Sequence, residues 1–156
     1  MAVRILLAAA LFAGLALPTS ADFADGLRAF DGGDYRAAYR EWADLAAAGD
    51  ADAQVALAGL YRSGLGVPQD GSRAADWYRR AAEQGHGIAQ LNLGEMYLTG
   101  RGVRRDRIQA YLWLSLAAAQ GYAWAAERKE LVAARMAREE LAEAERLARE
   151  WQPCAR

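Results

Sequence analysis

The sequence has few of the residues that build strands. It contains five valines, three isoleucines and two threonines, against 38 alanines among its 156 residues. Strands draw on β-branched and aromatic side chains, whereas alanine and leucine are strong helix formers. The composition therefore argues against a sandwich, a barrel or a parallel sheet, and it favours helices.

Cysteine and histidine are also scarce, since the chain has only Cys154 and His86. A zinc site usually takes three or four protein ligands, and no phosphate-binding loop motif is present, so we predict no metal, cofactor or catalytic site. His86 lies in a glycine-flanked turn, where we expect it to be exposed to solvent and to have no carboxylate partner. The net charge of -1 argues against nucleic acid or an anionic membrane surface as the main partner.

The first 21 residues have the order of regions of a secretory signal peptide. One basic residue, Arg4, precedes an uninterrupted apolar run over residues 5–17, which Pro18 breaks before the small residues that end at Ala21. The alternative is a membrane anchor, but a spanning helix needs about 20 apolar residues. We therefore predict cleavage after Ala21, a periplasmic or secreted protein, and no stable membrane insertion.

Export gives Cys154 two interpretations. The exported space permits disulfides, but a single cysteine makes none within its own chain. Cys154 follows Pro153 near the end of the sequence, and it is either an incidental thiol or the link of a disulfide-bonded dimer. We predict a monomer and keep the Cys154-linked dimer as the alternative.

A period of 36 residues organises the rest of the chain. When residues 49–84 are aligned with residues 85–120, 14 of the 36 positions are identical. In each copy Ala, Leu and Tyr recur at helical spacing, a loop Gly-x-Gly-Val-x-x-Asp follows, and Ala and Trp then recur at helical spacing. Each copy is thus predicted to be a helical hairpin, in which the glycines end the first helix and Asp70 or Asp106 caps the second.

The repeated pattern resembles the Sel1-like repeat, an α/α relative of the tetratricopeptide repeat. The motifs that carry the resemblance are Ala-Gln-x-x-Leu, the Gly-x-Gly-Val loop, Ala-x-x-Trp and Ala-Ala-x-Gln-Gly, over residues 49–125. The resemblance implies an all-α fold, a short right-handed α/α solenoid of helical hairpins with a C-terminal capping helix. The predicted segments are a signal peptide (1–21), a leading tetratricopeptide-like hairpin (22–48), two repeats (49–84 and 85–120), and a terminal helix with the capping helix (121–156).

The resemblance also implies a function, because bacterial proteins with these repeats are commonly adaptors. We predict an exported, non-enzymatic adaptor, scaffold or regulator of the bacterial cell envelope that binds a protein or peptide on its concave face. One alternative is a self-associating structural unit. Another is an enzyme related to β-lactamases or acting on peptidoglycan, but the family members linked to β-lactams carry paired cysteines in their repeats and these repeats carry none.

The two copies differ along one face of the second helix. In the first copy this face carries a polar stripe of Ser72, Asp76 and Arg80. In the second copy an apolar stripe replaces it, made of Ile108, Leu112 and Leu116. A matching apolar stripe near the C-terminus consists of Leu141, Ala144, Leu147, Ala148 and Trp151. We predict a turn near residues 135–138 that folds this last helix back over the apolar stripe. The alternative is one long helix, with a stripe free to bind a partner or a second copy.

The non-core face of the first helices is the predicted contact surface, because its residues differ between the copies. The candidate partner-binding residues are Asp52, Val55, Arg62, Ile88, Leu91, Glu95, Leu98 and Trp124. Trp124 is either an aromatic anchor or a core residue. The second loop also carries Arg101, Arg104, Arg105 and Arg107, which are either a solvated cluster or a contact for an acidic partner or polysaccharide.

Overall fold

The computed structural model describes residues 22–153, and within that range every regular element is a helix. The eight helices are α1 (Phe23–Asp31), α2 (Tyr35–Ala47), α3 (Ala51–Ser63), α4 (Gly71–Glu83), α5 (Gly87–Thr99), α6 (Arg107–Ala119), α7 (Ala123–Ala133) and α8 (Arg138–Glu150). Each helix from α1 to α6 packs against the next one and α8 packs against α6, which confirms the expected all-α array of hairpins. None of these eight helices is long and apolar enough to cross a membrane. The predicted signal peptide and Cys154 lie outside the described residues.

Aspartates begin most of the helices, as the repeated motif predicts. The Asp70 carboxylate accepts a hydrogen bond from the Arg73 backbone N–H at 3.0 Å, and Asp106 accepts one from the Gln109 N–H at 3.0 Å. Each carboxylate satisfies a backbone donor that the first turn of a helix leaves without a partner. The capping role predicted for Asp70 and Asp106 is therefore confirmed.

The second glycine of each Gly-x-Gly-Val loop lies against the preceding hairpin. A Cβ at Gly102 would overlap the Gly71 carbonyl at the start of α4, and a Cβ at Gly66 would overlap the Tyr35 carbonyl at the start of α2. Both glycines also have positive φ, 76° and 70°, which L side chains rarely adopt. The loop therefore requires glycine twice over, for its backbone conformation and for contact with its neighbour.

Alanine fills the tightest positions between helices. Six alanines with no exposed surface recur with the 36-residue period: Ala38, Ala74 and Ala110 in α2, α4 and α6, and Ala53, Ala89 and Ala125 in α3, α5 and α7. A methyl group at these positions lets two helix backbones approach closely, and larger side chains such as Trp42, Leu57 and Tyr78 fill the space around them. The excess of alanine in the composition thus serves interhelical packing.

In each of the two repeats, one buried glutamine connects the hairpin to the helix before it. Gln54 donates through Nε2 to the Ala46 carbonyl at 3.1 Å, and Gln90 donates to the Ala82 carbonyl at 3.2 Å. Their side-chain oxygens accept hydrogen bonds of 2.8 Å from Gln84 and Gln120 respectively. We call these four residues the glutamine ladder. Its members recur in the sequence, but the pattern of identities alone did not reveal their role.

The last helix folds back, as predicted. α7 ends at Ala133, a turn covers residues 134–137, and α8 then packs against α6. Leu112 is buried at 7% exposure, and the rings of Trp113 and Trp151 meet edge to face with centroids 6.3 Å apart. Trp151 also lies over the turn at Gly85, between α4 and α5. The chain's own C-terminal helix therefore covers the apolar stripe of α6 at Leu112, while Ile108 and Leu116 on either side of it are half-buried.

Candidate protein-binding surface

The predicted contact residues lie on α3, on α5 and at the start of α7. We call α3, α5 and α7 the first helices. Asp52, Arg62, Ile88 and Trp124 are exposed, whereas Val55, Leu91, Glu95 and Leu98 are half-buried. Val55 packs against the core beneath α3, and Leu91 and Leu98 pack against the core that α7 and α8 share with α6. The surface is therefore mixed, with some candidates open to a partner and others partly used for folding.

The polar candidates connect one first helix to the next. Arg62 on α3 donates to the Asn92 side-chain oxygen on α5 at 2.6 Å. Glu95 on α5 accepts two hydrogen bonds from the Arg128 guanidinium on α7, at 2.7 and 3.0 Å. The bidentate bond to Glu95 raises the pKa of Arg128 above its usual range. These contacts fix the spacing of the first helices, so the surface is held in place before any partner arrives.

The expectation for His86 was wrong. The residue caps α5, with Nδ1 accepting from the Ala89 N–H at 3.4 Å, and its Nε2 lies 2.9 Å from the Asp52 carboxylate. Because Nδ1 is an acceptor, the proton is placed on Nε2, which donates to Asp52. The histidine is half-buried rather than fully exposed. The carboxylate partner was missed because it lies 34 residues earlier, in the preceding hairpin.

Two exposed apolar side chains occupy equivalent positions of successive first helices. Ile88 on α5 is 43% exposed, and Trp124, which lies 36 residues later on α7, is 51% exposed. The Arg128 guanidinium lies over the Trp124 ring, 5.4 Å from its centroid. Trp124 is thus on the surface rather than in the core, which resolves the alternative left open by the sequence.

Leu131 extends this apolar surface and was not predicted from the sequence. It is 53% exposed and follows Trp124 by seven residues, so both side chains share one face of α7. The corresponding residues of the earlier first helices are Gly59 and Glu95, which gave no indication of an apolar site. The signal available in the sequence was the spacing of Trp124 and Leu131 within α7.

An arginine-rich cleft lies at the far end of this face. It has a volume of about 620 Å³ and is bounded by the C-terminal end of α5, the α5–α6 loop with the start of α6, the C-terminal half of α7 with the turn after it, and the start of α8. Its five arginines are Arg104, Arg105, Arg107, Arg128 and Arg135. Its two carboxylates are those of Asp106, which caps α6, and Glu140, which accepts from the Ala137 N–H at 3.0 Å. Cationic groups therefore outnumber acidic ones in the cleft.

With this geometry established, similarity to known proteins identifies the repeats. A profile of the Sel1 repeat matches residues 51–86 and 87–122. A Sel1 repeat protein from Oxalobacter formigenes is 36% identical, has a TM-score of 0.64, and is aligned over 69% of this chain and 84% of its own.

The chain belongs to the Sel1 repeat family. Its fold is also similar to that of a protective antigen of uropathogenic Escherichia coli strains that displays an SLR fold, with 32% identity and a TM-score of 0.76. The match covers 81% of this chain but only 28% of the antigen, so this chain spans a little over a quarter of the length of that relative. No curated protein matches the sequence. Sel1 repeats generally mediate protein–protein interaction and are typically non-enzymatic scaffolds.

Proposed function

We propose that the protein is an exported adaptor or scaffold of the bacterial cell envelope that binds a protein or peptide on the concave face formed by its first helices. The observation that carries this proposal is the exposure of Ile88 and Trp124 at equivalent positions of successive repeats. Exposed aromatic side chains lose solvent favourably on binding and are enriched among the residues that dominate interface energies.

The surface is suited to a macromolecular partner because its apolar residues are spread out. Ile88 is on α5 and Trp124 and Leu131 are on α7, so a ligand that covers all three must cross two helices. The ion pair between Glu95 and Arg128 lies between the same two helices and holds them together. A partner would therefore meet a preformed surface and would lose little binding energy to ordering it.

The proposal includes the absence of catalysis. Both ring nitrogens of His86 are engaged, one with the Ala89 N–H and one with Asp52, which leaves neither free to act as a general base. The relevant assay measures nitrocefin hydrolysis by the purified mature protein. We expect no turnover above the buffer rate, and turnover that co-purifies with the protein would contradict the proposal.

Export rests on the leader sequence over residues 1–21. Expression of the full chain in a Gram-negative host, followed by cell fractionation and N-terminal sequencing, tests it. We expect the protein in the periplasm or medium with Asp22 as its first residue. A protein that stays in the cytoplasm with Met1 intact would refute export without affecting the binding surface.

Site-specific crosslinking tests the binding surface itself. A photoreactive phenylalanine analogue placed at Ile88 or at Trp124 is expected to capture the same envelope protein, identified by mass spectrometry. The matched control is Leu27, which is also 43% exposed but lies on α1, away from the first helices. Equal capture from position 27, or no specific capture from positions 88 and 124, would contradict the proposal. Light scattering of the uncrosslinked protein shows whether a captured species is a second copy of the chain.

A further inference from the structure

We propose that the arginine-rich cleft binds an acidic peptide segment that also carries an aliphatic side chain. This inference rests on the proposed function, because it names the chemistry of the partner that the surface would bind. It uses a different set of residues from the Ile88–Trp124 pair, so the two proposals can fail separately.

The cleft carries an excess of unpaired positive charge. Of the five arginines, Arg128 is paired with Glu95, and Arg105 donates through Nε to the Thr99 carbonyl at 3.0 Å. The guanidinium groups of Arg104, Arg107 and Arg135 make no hydrogen bond or ion pair within residues 22–153. Both carboxylates in the cleft already accept hydrogen bonds from backbone N–H groups. Three cationic groups therefore face a single concave space, where an anionic ligand would be favoured.

One side of the cleft is apolar. Leu131 is 53% exposed at its edge, and the half-buried Leu98 and Ile108 line it as well. A peptide offers carboxylates and an aliphatic side chain within a few residues of one another, and so matches both parts of this lining. An acidic polysaccharide offers the charge but no aliphatic group, which makes the peptide the better fit.

The cleft is continuous with the surface formed by the first helices. Trp124, Arg128 and Leu131 are spaced by four and three residues, so all three lie along one face of α7, and Arg135 follows in the turn after this helix. The cleft occupies the C-terminal part of this face and Trp124 its N-terminal part. The rise of about 1.5 Å per helical residue places Leu131 roughly 10 Å along α7 from Trp124. A short extended peptide in the cleft can therefore reach Trp124.

Fluorescence anisotropy with a defined probe tests the inference on the mature protein, residues 22–156. The probe is a labelled, end-blocked peptide Glu-Asp-Leu-Glu-Asp-Leu-Glu-Asp, compared with its uncharged counterpart Gln-Asn-Leu-Gln-Asn-Leu-Gln-Asn and with a version in which Ala replaces Leu. We expect saturable binding of the acidic leucine peptide, weakened by salt, and no detectable binding of the uncharged one. The alanine version should bind about threefold more weakly.

Matched variants locate the binding site. The triple variant R104Q/R107Q/R135Q should weaken binding of the acidic leucine peptide by about tenfold or more, and L131A by about threefold. The control R36Q/R40Q/R101Q removes the same charge from exposed arginines outside the cleft and should change binding by less than about twofold. Circular dichroism and urea unfolding establish that each variant remains folded.

Several outcomes would overturn the inference. Equal losses in the two triple variants would show that overall charge, not the cleft, attracts the peptide. Saturable binding of alginate in place of the peptide would make the cleft a polysaccharide site. If no peptide binds while position 124 still crosslinks an envelope protein, the proposed function stands and the cleft inference fails. If the cleft binds the peptide and positions 88 and 124 capture nothing, the cleft inference stands and the proposed function fails.

Discussion

The second helices of the two repeats, α4 and α6, have the same framework and different outer faces. On α4 the outer positions are polar and exposed, and Asp76 pairs with Arg79 at 2.8 Å. On α6 the position equivalent to Asp76 is Leu112, which is buried at 7% exposure beneath α8. Ala74 and Ala110, which face the partner helix in each hairpin, are identical and have no exposed surface.

This difference separates two kinds of constraint on a repeat. Positions that contact the chain's own hairpin or the neighbouring loop recur because the same geometry recurs, as Gly66 and Gly102 illustrate. Positions on the outer face follow whatever lies next to them, which is solvent for α4 and another helix for α6. The repeat period thus reports local geometry, and departures from it report position within the array. Four predictions follow from the comparison, ordered by expected size.

Exchanging the outer residues should have opposite consequences in the two helices. L112D should lower the free energy of unfolding by about 3 kcal/mol or more, because it buries a carboxylate beneath α8. The equivalent D76L on α4 should change it by less than about 0.5 kcal/mol, since Asp76 is exposed. Urea unfolding followed by circular dichroism measures both. A similar cost for the two substitutions would mean that α8 does not cover α6 in solution.

The glutamine ladder should contribute equally to both repeats. Q54L and Q90L each remove a buried donor to a backbone carbonyl and a side-chain acceptor, which should cost about 1–3 kcal/mol. Q152L, at an exposed position beyond α8, serves as the control and should have little effect. The same unfolding measurement applies. A substitution that leaves stability unchanged would remove the ladder from the shared framework of the repeats.

Loss of a helix cap should also be equivalent in α4 and α6. D70A and D106A each leave an N-terminal backbone N–H without its side-chain acceptor, at a cost of about 1 kcal/mol. D44A serves as the control, because it removes an exposed carboxylate near the C-terminal end of α2. Its free energy of unfolding should stay within about 0.5 kcal/mol of that of the parent protein. Thermal unfolding and urea unfolding should both show a larger loss of stability for D70A and D106A than for D44A. A cost at one cap only would break the equivalence of the repeats.

Alkaline pH should affect the first repeat more than the second. Burial raises the pKa of Tyr78, whereas the equivalent residue of α6 is Leu114, which does not titrate. The folded state keeps the Tyr78 proton above pH 10, where an unfolded chain begins to lose it. Its contribution to stability is therefore complete below about pH 10 and declines as the pH rises further.

The substitution Y78F removes this titration. Urea unfolding between pH 9 and pH 11 should give a shallower decline of stability for Y78F than for the parent protein, with a difference of at most about 1.4 kcal/mol per pH unit. Tyr39, whose pKa is raised by its hydrogen bond to Tyr61, is present in both proteins and contributes to the slope that they share. Parallel curves would show that the pKa of Tyr78 is the same in the folded and the unfolded chain.

The sequence was sufficient for features that repeat and for features local to one helix. The hairpins, the aspartate caps and the turn before α8 were all predicted, because spacing within about ten residues determines them. The contact between His86 and Asp52 was not, since it joins side chains 34 residues apart and depends on how two hairpins are rotated against each other. The ion pair of Glu95 with Arg128 has the same origin, at a separation of 33 residues.

The candidate surface was predicted less completely than the fold. Ile88 and Trp124 were found because they depart from the core pattern, and both are exposed. Leu131 was missed, since a lone leucine on a terminal helix is usually a core residue. The basic cluster of the second loop was predicted, and three of its arginines line the cleft, whereas Arg101 does not. Arg128 and Arg135 were missed, because they come from α7 and the turn after it, and only packing brings them to the loop.

The covering of α6 by α8 also determines how such a chain can grow by duplication. A copy of residues 51–86 inserted before residue 87 would bring its own polar α4, both loop glycines and its part of the glutamine ladder, so each junction would be preserved. A copy of residues 87–122 would place an apolar α6 inside the array with no helix to cover it. Gene duplication can therefore lengthen the array through its first repeat, while the second is kept as a single terminal unit.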